Sequence, residues 1–435
     1  MGTREANTMM ALVCSITVYL IGPQAHAVDL TIDSGTTAIN SDTTYGETRI
    51  AGIIGQSATL EVTSGTVTTD TTFIGYNGTG TLNLTGGNLT TGQFFVGYNG
   101  AGTLNLIGGN LTTGQSIIGT NIDSTATVSA GTWTLNSSLQ IGFNAAIGTL
   151  TIDAGGTVIA EDLGRNPGST INLNAGGTLQ INGSMFTNFL GGTGDLANNG
   201  TLIFNLGSGN ISHSGVFSGS GSLIKQGYDT LSLSGANTYS GATTISAGTL
   251  ELSGAAGALT ATSAVDINGG TLLLSGSAAD RISDTAAISL GAATGSILQL
   301  SGAVTETLGA LTLTSGAGAR VIDFGATSGV LTLDSLSAAS HLPLHIWNWS
   351  GTIGTGGGTD RLFITNGFGG SLAASDISFF SDSGTTLLAG PAVFNSSGEL
   401  VPVPEANTLL GVLGLMAPLA WRERRHWMRC RAARP

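Results

Sequence analysis

Charge is scarce in this 435-residue chain: only 9% of residues are Asp, Glu, Lys or Arg, and 13 of those are basic. Six of the 13 basic residues crowd into the last 14 positions (Arg422, Arg424, Arg425, Arg429, Arg431, Arg434). Between Val28 and Glu405 only Arg49, Arg165, Lys225, Arg281, Arg320 and Arg361 remain, against 24 of the 26 acidic residues, so the body carries 6 − 24 = −18. A surface of that sign repels phosphate backbones, which excludes nucleic acid as a partner. Cysteine is absent from the body, since Cys14 and Cys430 both lie in terminal segments. That excludes a thiol nucleophile or a cysteine-ligated metal there and suits export without disulfide chemistry.

Chemistry-bearing motifs are missing as well. There is no G-x-S-x-G, no G-x-x-x-x-G-K-[ST] and no H-E-x-x-H. His341 and His345 have the spacing of a metal pair on a helix, but Pro343 between them forbids an ordinary helix. Gly191-Gly192-Thr193-Gly194-Asp195 is a single, imperfect copy of a calcium-binding repeat. Glu161 and Asp162 are the one adjacent acidic pair of the repeat region, and on a regular strand they point to opposite faces. The expectation is no enzyme, no metal and no cofactor.

What the chain has in abundance is glycine, 69 residues, more than twice the usual share of about 7%. There is no Gly-X-Y period, so collagen is excluded, and 41% apolar content is enough for a core. The glycines mark time. Residues 73–94 (FIGYNGTGTLNLTGGNLTTGQF) recur as 95–116 (FVGYNGAGTLNLIGGNLTTGQS) with four differences. A Gly-x-Asn motif falls at Gly75/Asn77, Gly97/Asn99, Gly119/Asn121, Gly142/Asn144 and Gly164/Asn166. Apolar columns run Val62, Leu84, Leu106, Val128, Ile152, Leu173 and Val67, Leu89, Leu111, Trp133, Val158, Leu179. Short alternations such as Leu82-Asn83-Leu84 are half-buried strands. A repeat near 22 residues holding three short strands and three turns predicts an all-β parallel β-helix, its coils roughly 4.8 Å apart. The Gly-x-Asn column predicts a left-handed turn with asparagines hydrogen-bonded along the axis, or a polar ligand stripe. Phe73 over Phe95 and Tyr76 over Tyr98 predict aromatic stacks, for packing or for sugar binding.

In chain order, residues 1–27 have the form of a signal peptide. Arg4 is followed by an apolar run from Met9 to Ile21 and by Ala25-His26-Ala27, a small-x-small cleavage pattern. Residues 28–200 carry the β-helix repeats and residues 201–275 a related repeat region. Residues 276–400 lose the 22-residue beat and are read as a C-terminal β-module or cap.

Two segments resemble known families. Lys225-Gln226-Gly227, Thr230-Leu231-Ser232-Leu233, Gly235-Ala236-Asn237-Thr238-Tyr239-Ser240-Gly241 and Gly248-Thr249-Leu250 resemble the autotransporter-associated β-strand repeat. The resemblance implies a passenger-type β-helix of an exported bacterial protein, but the sequence has no room or pattern for the membrane barrel that ends self-translocating members. Residues 401–435 resemble a PEP-CTERM sorting signal: Val403-Pro404-Glu405-Ala406, an apolar run from Leu409 to Trp421 read as a short hydrophobic helix, then Arg422, Arg424 and Arg425. Ala406 stands where that motif has a second Pro. The likeness implies processing by an exosortase-like enzyme of a Gram-negative bacterium and a link to extracellular polysaccharide or envelope matrix. The arginines would hold their end in the cytoplasm. Thirteen apolar residues reach only about 20 Å, short of the ~30 Å hydrocarbon core, so transient inner-membrane association is expected, with a lasting single-span anchor as the other reading. The function expected is a structural or adhesive cell-surface protein; the alternative is a glycan-binding or glycan-cleaving β-helix.

Overall fold

The computed structural model describes residues 27–183, 194–207, 209–292, 295–388 and 391–403. They fall into two units, one ending at Ala264 and the other beginning at Val265. Both are parallel β-solenoids, and together they hold about 14 turns of ~22 residues. The one helical element among the described residues is the 3₁₀ turn Ala374–Asp376.

In the first unit each early coil contributes one short and one long strand. The short strands Gly35–Ile39, Ser57–Val62, Thr79–Leu84, Gly102–Leu106, Ser124–Val128, Gly148–Ile152 and Thr170–Leu173 form one parallel sheet. Its register places Leu60, Leu82, Leu104, Ala126, Leu150 and Ile171 over one another. The column from Val62 to Leu173 follows the order read from the sequence, and all six of its side chains are fully buried.

The long strands, among them Thr66–Ile74, Asn88–Val96 and Asn110–Ile118, carry the column from Val67 to Leu179, again in the expected register. Each long strand bends. In Asn88–Val96 the buried residues are Leu89, Thr91, Phe94 and Val96, so the alternation slips by one at Gly92-Gln93. The Thr91 hydroxyl donates to the Gln93 carbonyl at 2.9 Å, and Thr69 does the same to Thr71 one coil earlier. Two of the three strands expected per coil are therefore one continuous strand turned through a corner. The threonine takes over the carbonyl that the bend withdraws from the ladder.

The second unit keeps the same plan with longer coils. Thr271–Ser275, Ser296–Ser301, Arg320–Asp323, Leu344–Trp347 and Ile377–Phe379 are parallel neighbours. Leu272, Leu298, Ile322, Ile346 and Phe379 stack in steps of 26, 24, 24 and 33 residues, and all are fully buried. The lengthened steps explain why the 22-residue beat vanishes from the sequence after 276 while parallel coils continue. The parallel run ends in an antiparallel hairpin, Ala392–Phe394 against Leu400–Pro402. Glu399 bridges antiparallel to Phe363, and Leu387 to Phe380. Buried Glu399 accepts from Arg361 Nη2 and from the Gly357 amide, each at 3.2 Å. The last strands thus have cover on the edge that would otherwise stand open.

Candidate interaction surface and the repeat signature

The Gly-x-Asn turns follow the long strands, and Gly75, Gly97, Gly119 and Gly142 take φ of +71°, +82°, +78° and +74°. Glycine adopts that conformation at no steric cost, which sets the turn. The asparagines two residues on form a ladder. Asn99 donates to Asn77 Oδ1 at 3.4 Å, Asn121 to Asn99 at 3.2 Å and Asn144 to Asn121 at 2.9 Å. Asn77 closes one end on the Gly52 carbonyl at 2.8 Å, and Asn166 joins the other through the Asn144 carbonyl at 3.3 Å. The fifth member departs from expectation. Gly164 lies inside the strand Gly156–Arg165 opposite Gln140, and the register Ile141↔Arg165 brings Asn166 to the level of Gly142. A bulge between Leu135 and Ser138 absorbs the difference, so equal spacing in sequence is not equal height on the solenoid.

The aromatic stacks form as expected. Phe73 and Phe95 lie 5.0 Å apart at 10°, and Tyr76 and Tyr98 lie 5.6 Å apart at 9°. The two pairs meet edge to face, Phe73 to Tyr98 at 4.9 Å. Arg49 sits 5.1 Å over the Tyr76 ring while holding Glu47 at 2.6 Å. The rings spend their faces chiefly on one another and on a guanidinium, which is packing geometry.

In the segment that carries the repeat signature, the polar residues turn inward. Lys225 is fully buried, and its ammonium donates to the carbonyls of Gln226, Gly227 and Ala247 at 2.6, 2.9 and 3.3 Å. Burial pushes its pKa down to about 8. Gly248 has a φ of +63°, and a β-carbon there would lie 2.5 and 2.6 Å from the carbonyl oxygens of Gly227 and Asp229, which gives the closing Gly-Thr-Leu its glycine. Buried Asn237 accepts from the Phe217 amide at 3.0 Å and donates to the carbonyls of Gly235 and Ala258 at 2.9 and 3.2 Å. The Tyr239 hydroxyl lies 2.6 Å from Thr243 Oγ1, and burial pushes that phenol up. Leu231 and Leu250 stack in register at zero exposure. The signature therefore supplies partners for main-chain groups at turns that strands of two to five residues cannot satisfy by themselves. Its inward direction was not readable from the sequence.

The remaining candidates are scattered. Glu161 and Asp162 both lie on the outer side of their strand, because the alternation slips between Ala160 and Leu163. That corrects the expectation of opposite faces. Glu161 accepts from Asn182 at 3.1 Å. Asp195 accepts the Val216 amide at 2.8 Å, and its main-chain carbonyl takes Arg165 at 2.8 Å; Gly191 to Thr193 lie outside the described residues. His213 is buried and stacked 4.5 Å from Phe217, its pKa pushed down to about 4 chiefly by burial. His345 lies on the strand Leu344–Trp347, and His341 reaches Asp376 at 3.0 Å. Among the described residues no three His, Cys, Asp or Glu gather where they could hold a metal, and no helix is long and apolar enough to cross a membrane.

Of the predicted processing residues, Ala27 is exposed and Val403 half-buried, while Ala25, Pro404, Glu405, Arg422, Arg424 and Arg425 lie outside the described residues. No curated protein and no solved structure matches the chain. Residues 223–252 match the family described as Passenger-associated-transport-repeat, a match confined to one segment of the β-solenoid.

Proposed function

We propose that the protein is exported to the bacterial cell surface or extracellular matrix and serves there as a structural or adhesive solenoid, without enzymatic activity. The observation that carries this reading is the inward direction of Lys225, Asn237 and Tyr239, which commits the polar residues of the signature to the fold rather than to a ligand. The Asn77–Asn144 ladder is committed in the same way. Residues 1–27 direct export, and the tail from Val403 to Arg425 directs sorting by an exosortase-like enzyme after transient attachment to the inner membrane. Deleting Pro404 to Pro435 then sends the protein freely into the periplasm or medium. An unchanged location in cell fractionation refutes the sorting role.

A second reading, a glycan-binding or glycan-cleaving β-helix, is favoured by one observation: the carboxylates of Glu161 and Asp162 share the outer side of a bend. Incubation with acidic and neutral polysaccharides, assayed for new reducing ends or unsaturated products, separates the two. Activity lost in Glu161→Gln or Asp162→Asn overturns the structural reading.

A further inference from the structure

The outer side of the short-strand sheet in the first unit is unlike the rest of the body. Register places Thr36, Thr59, Thr81, Thr103, Thr125, Thr149 and Thr170 in one unbroken column, one per coil. Two residues along each strand lies a second outward column: Ala38, Glu61, Asn83, Asn105, Thr127, Thr151 and Asn172. Within it Asn105 donates to Asn83 at 2.9 Å and Asn172 to Thr151 at 3.3 Å. The hydroxyls of Thr59, Thr81, Thr103, Thr125 and Thr149 make no hydrogen bond to other described residues. Glu61 is the single charged residue in the seven strands. The long-strand sheet of the same unit carries Glu47, Arg49, Asp70, Glu161, Asp162 and Arg165.

We infer that this face is an isologous interface, and that its occupant is the same face of a second copy of the chain. Three considerations select that partner. The body carries 6 − 24 = −18, so two copies repel unless they meet where charge is missing, and this sheet is such a place. The threonines repeat once per coil, and a second copy has the same coil rise by construction, so the columns stay matched over all seven rungs. A ligand of any other period drifts out of step. The area is also sufficient. Seven strands roughly 4.8 Å apart and about five residues long at roughly 3.3 Å each cover about 550 Å². A pair therefore buries about 1,100 Å², just above what a specific interface needs. A two-fold axis in the plane of the interface sets threonine methyls against each other and lets the free hydroxyls and the asparagine amides bond across it.

The test uses the full chain with Cys14 and Cys430 changed to Ala and one new thiol. Thr103→Cys lies at the central rung of the proposed interface, and Thr90→Cys lies on the outer side of the long-strand sheet. A short bismaleimide is expected to join Thr103→Cys into a covalent dimer and to leave Thr90→Cys single. Sedimentation of the parent chain is expected to give twice the chain mass. The double variant Thr81→Lys/Thr125→Lys is expected to halve that mass while its circular-dichroism melt stays unchanged. The inference is overturned by a single-chain mass at every accessible concentration, or by linking at Thr90→Cys as readily as at Thr103→Cys, which would place association elsewhere. It is overturned equally by a single chain that adsorbs to insoluble β-glucan or to ice through the Thr103 face.

Discussion

Replacing Lys225 by Met tests whether the repeat signature works through the fold. Two opposed effects meet at this residue. The substitution removes the donor for three carbonyls, of which that of Gln226 retains the Leu206 amide at 3.2 Å. The carbonyls of Gly227 and Ala247 are left without their ammonium partner. At about 1–3 kcal/mol for a stranded group that is fully buried, two such half-buried carbonyls set an upper range of about 2–6 kcal/mol for the loss. Against it stands relief from burying a charge. A pKa pushed from 10.5 down to about 8 means that holding the ammonium in the folded state costs about 3 kcal/mol at neutral pH. The expected net effect at pH 7.5 is a modest destabilisation, on the order of 1–2 kcal/mol.

The pH dependence separates the two effects. Because the folded pKa lies below the unfolded one, the charge penalty is fully present below pH 8 and is relieved as pH rises from about 8 towards 10.5. Urea unfolding of both proteins at pH 7.5 and pH 10 is the assay. The wild type is expected to gain about 2–3 kcal/mol relative to Lys225→Met between the two conditions. A difference that stays constant refutes the buried ammonium. A variant more stable than wild type by well over 1 kcal/mol at pH 7.5, on the order of 2 kcal/mol or more, refutes its role as partner to Gly227 and Ala247.

Leu104→Asp places a carboxylate between Leu82 and Ala126 in a fully buried column, where an unpaired charge costs several kcal/mol. A large fall in melting temperature is expected, and an unchanged melt means the column does not face the core. His213 has a folded pKa of about 4 against 6.5 unfolded, so its contribution is intact above pH 6.5 and is lost as pH falls towards 4, by up to about 3 kcal/mol. His213→Phe should flatten the acid limb of the stability profile measured between pH 7 and pH 4. An acid limb of the same slope in the variant would place the sensitivity elsewhere.

The apolar columns were legible because they use the simplest code a chain offers. A side chain that recurs at the coil period stacks on its counterpart, and Val62 to Leu173 and Val67 to Leu179 both do so. The Asn77–Asn144 ladder was legible for the same reason. Two features were not. A bend shifts the inward phase by one residue without altering composition, so Glu161 and Asp162 end on one side although alternation alone separates them. A bulge near Ser138 changes height without changing spacing, which takes Gly164 out of the turn column and puts Asn166 at its level.

The sequence by itself determined the period, the inward apolar residues and the turn glycines, because these depend on neighbours along the chain or one coil away. Only the tertiary structure decided which way Lys225, Asn237 and Tyr239 point, and that one outer sheet is almost free of charge. Both depend on where strands bend and end, since that is where main-chain groups lose their ladder partners and where outward positions from separate coils come together in one plane.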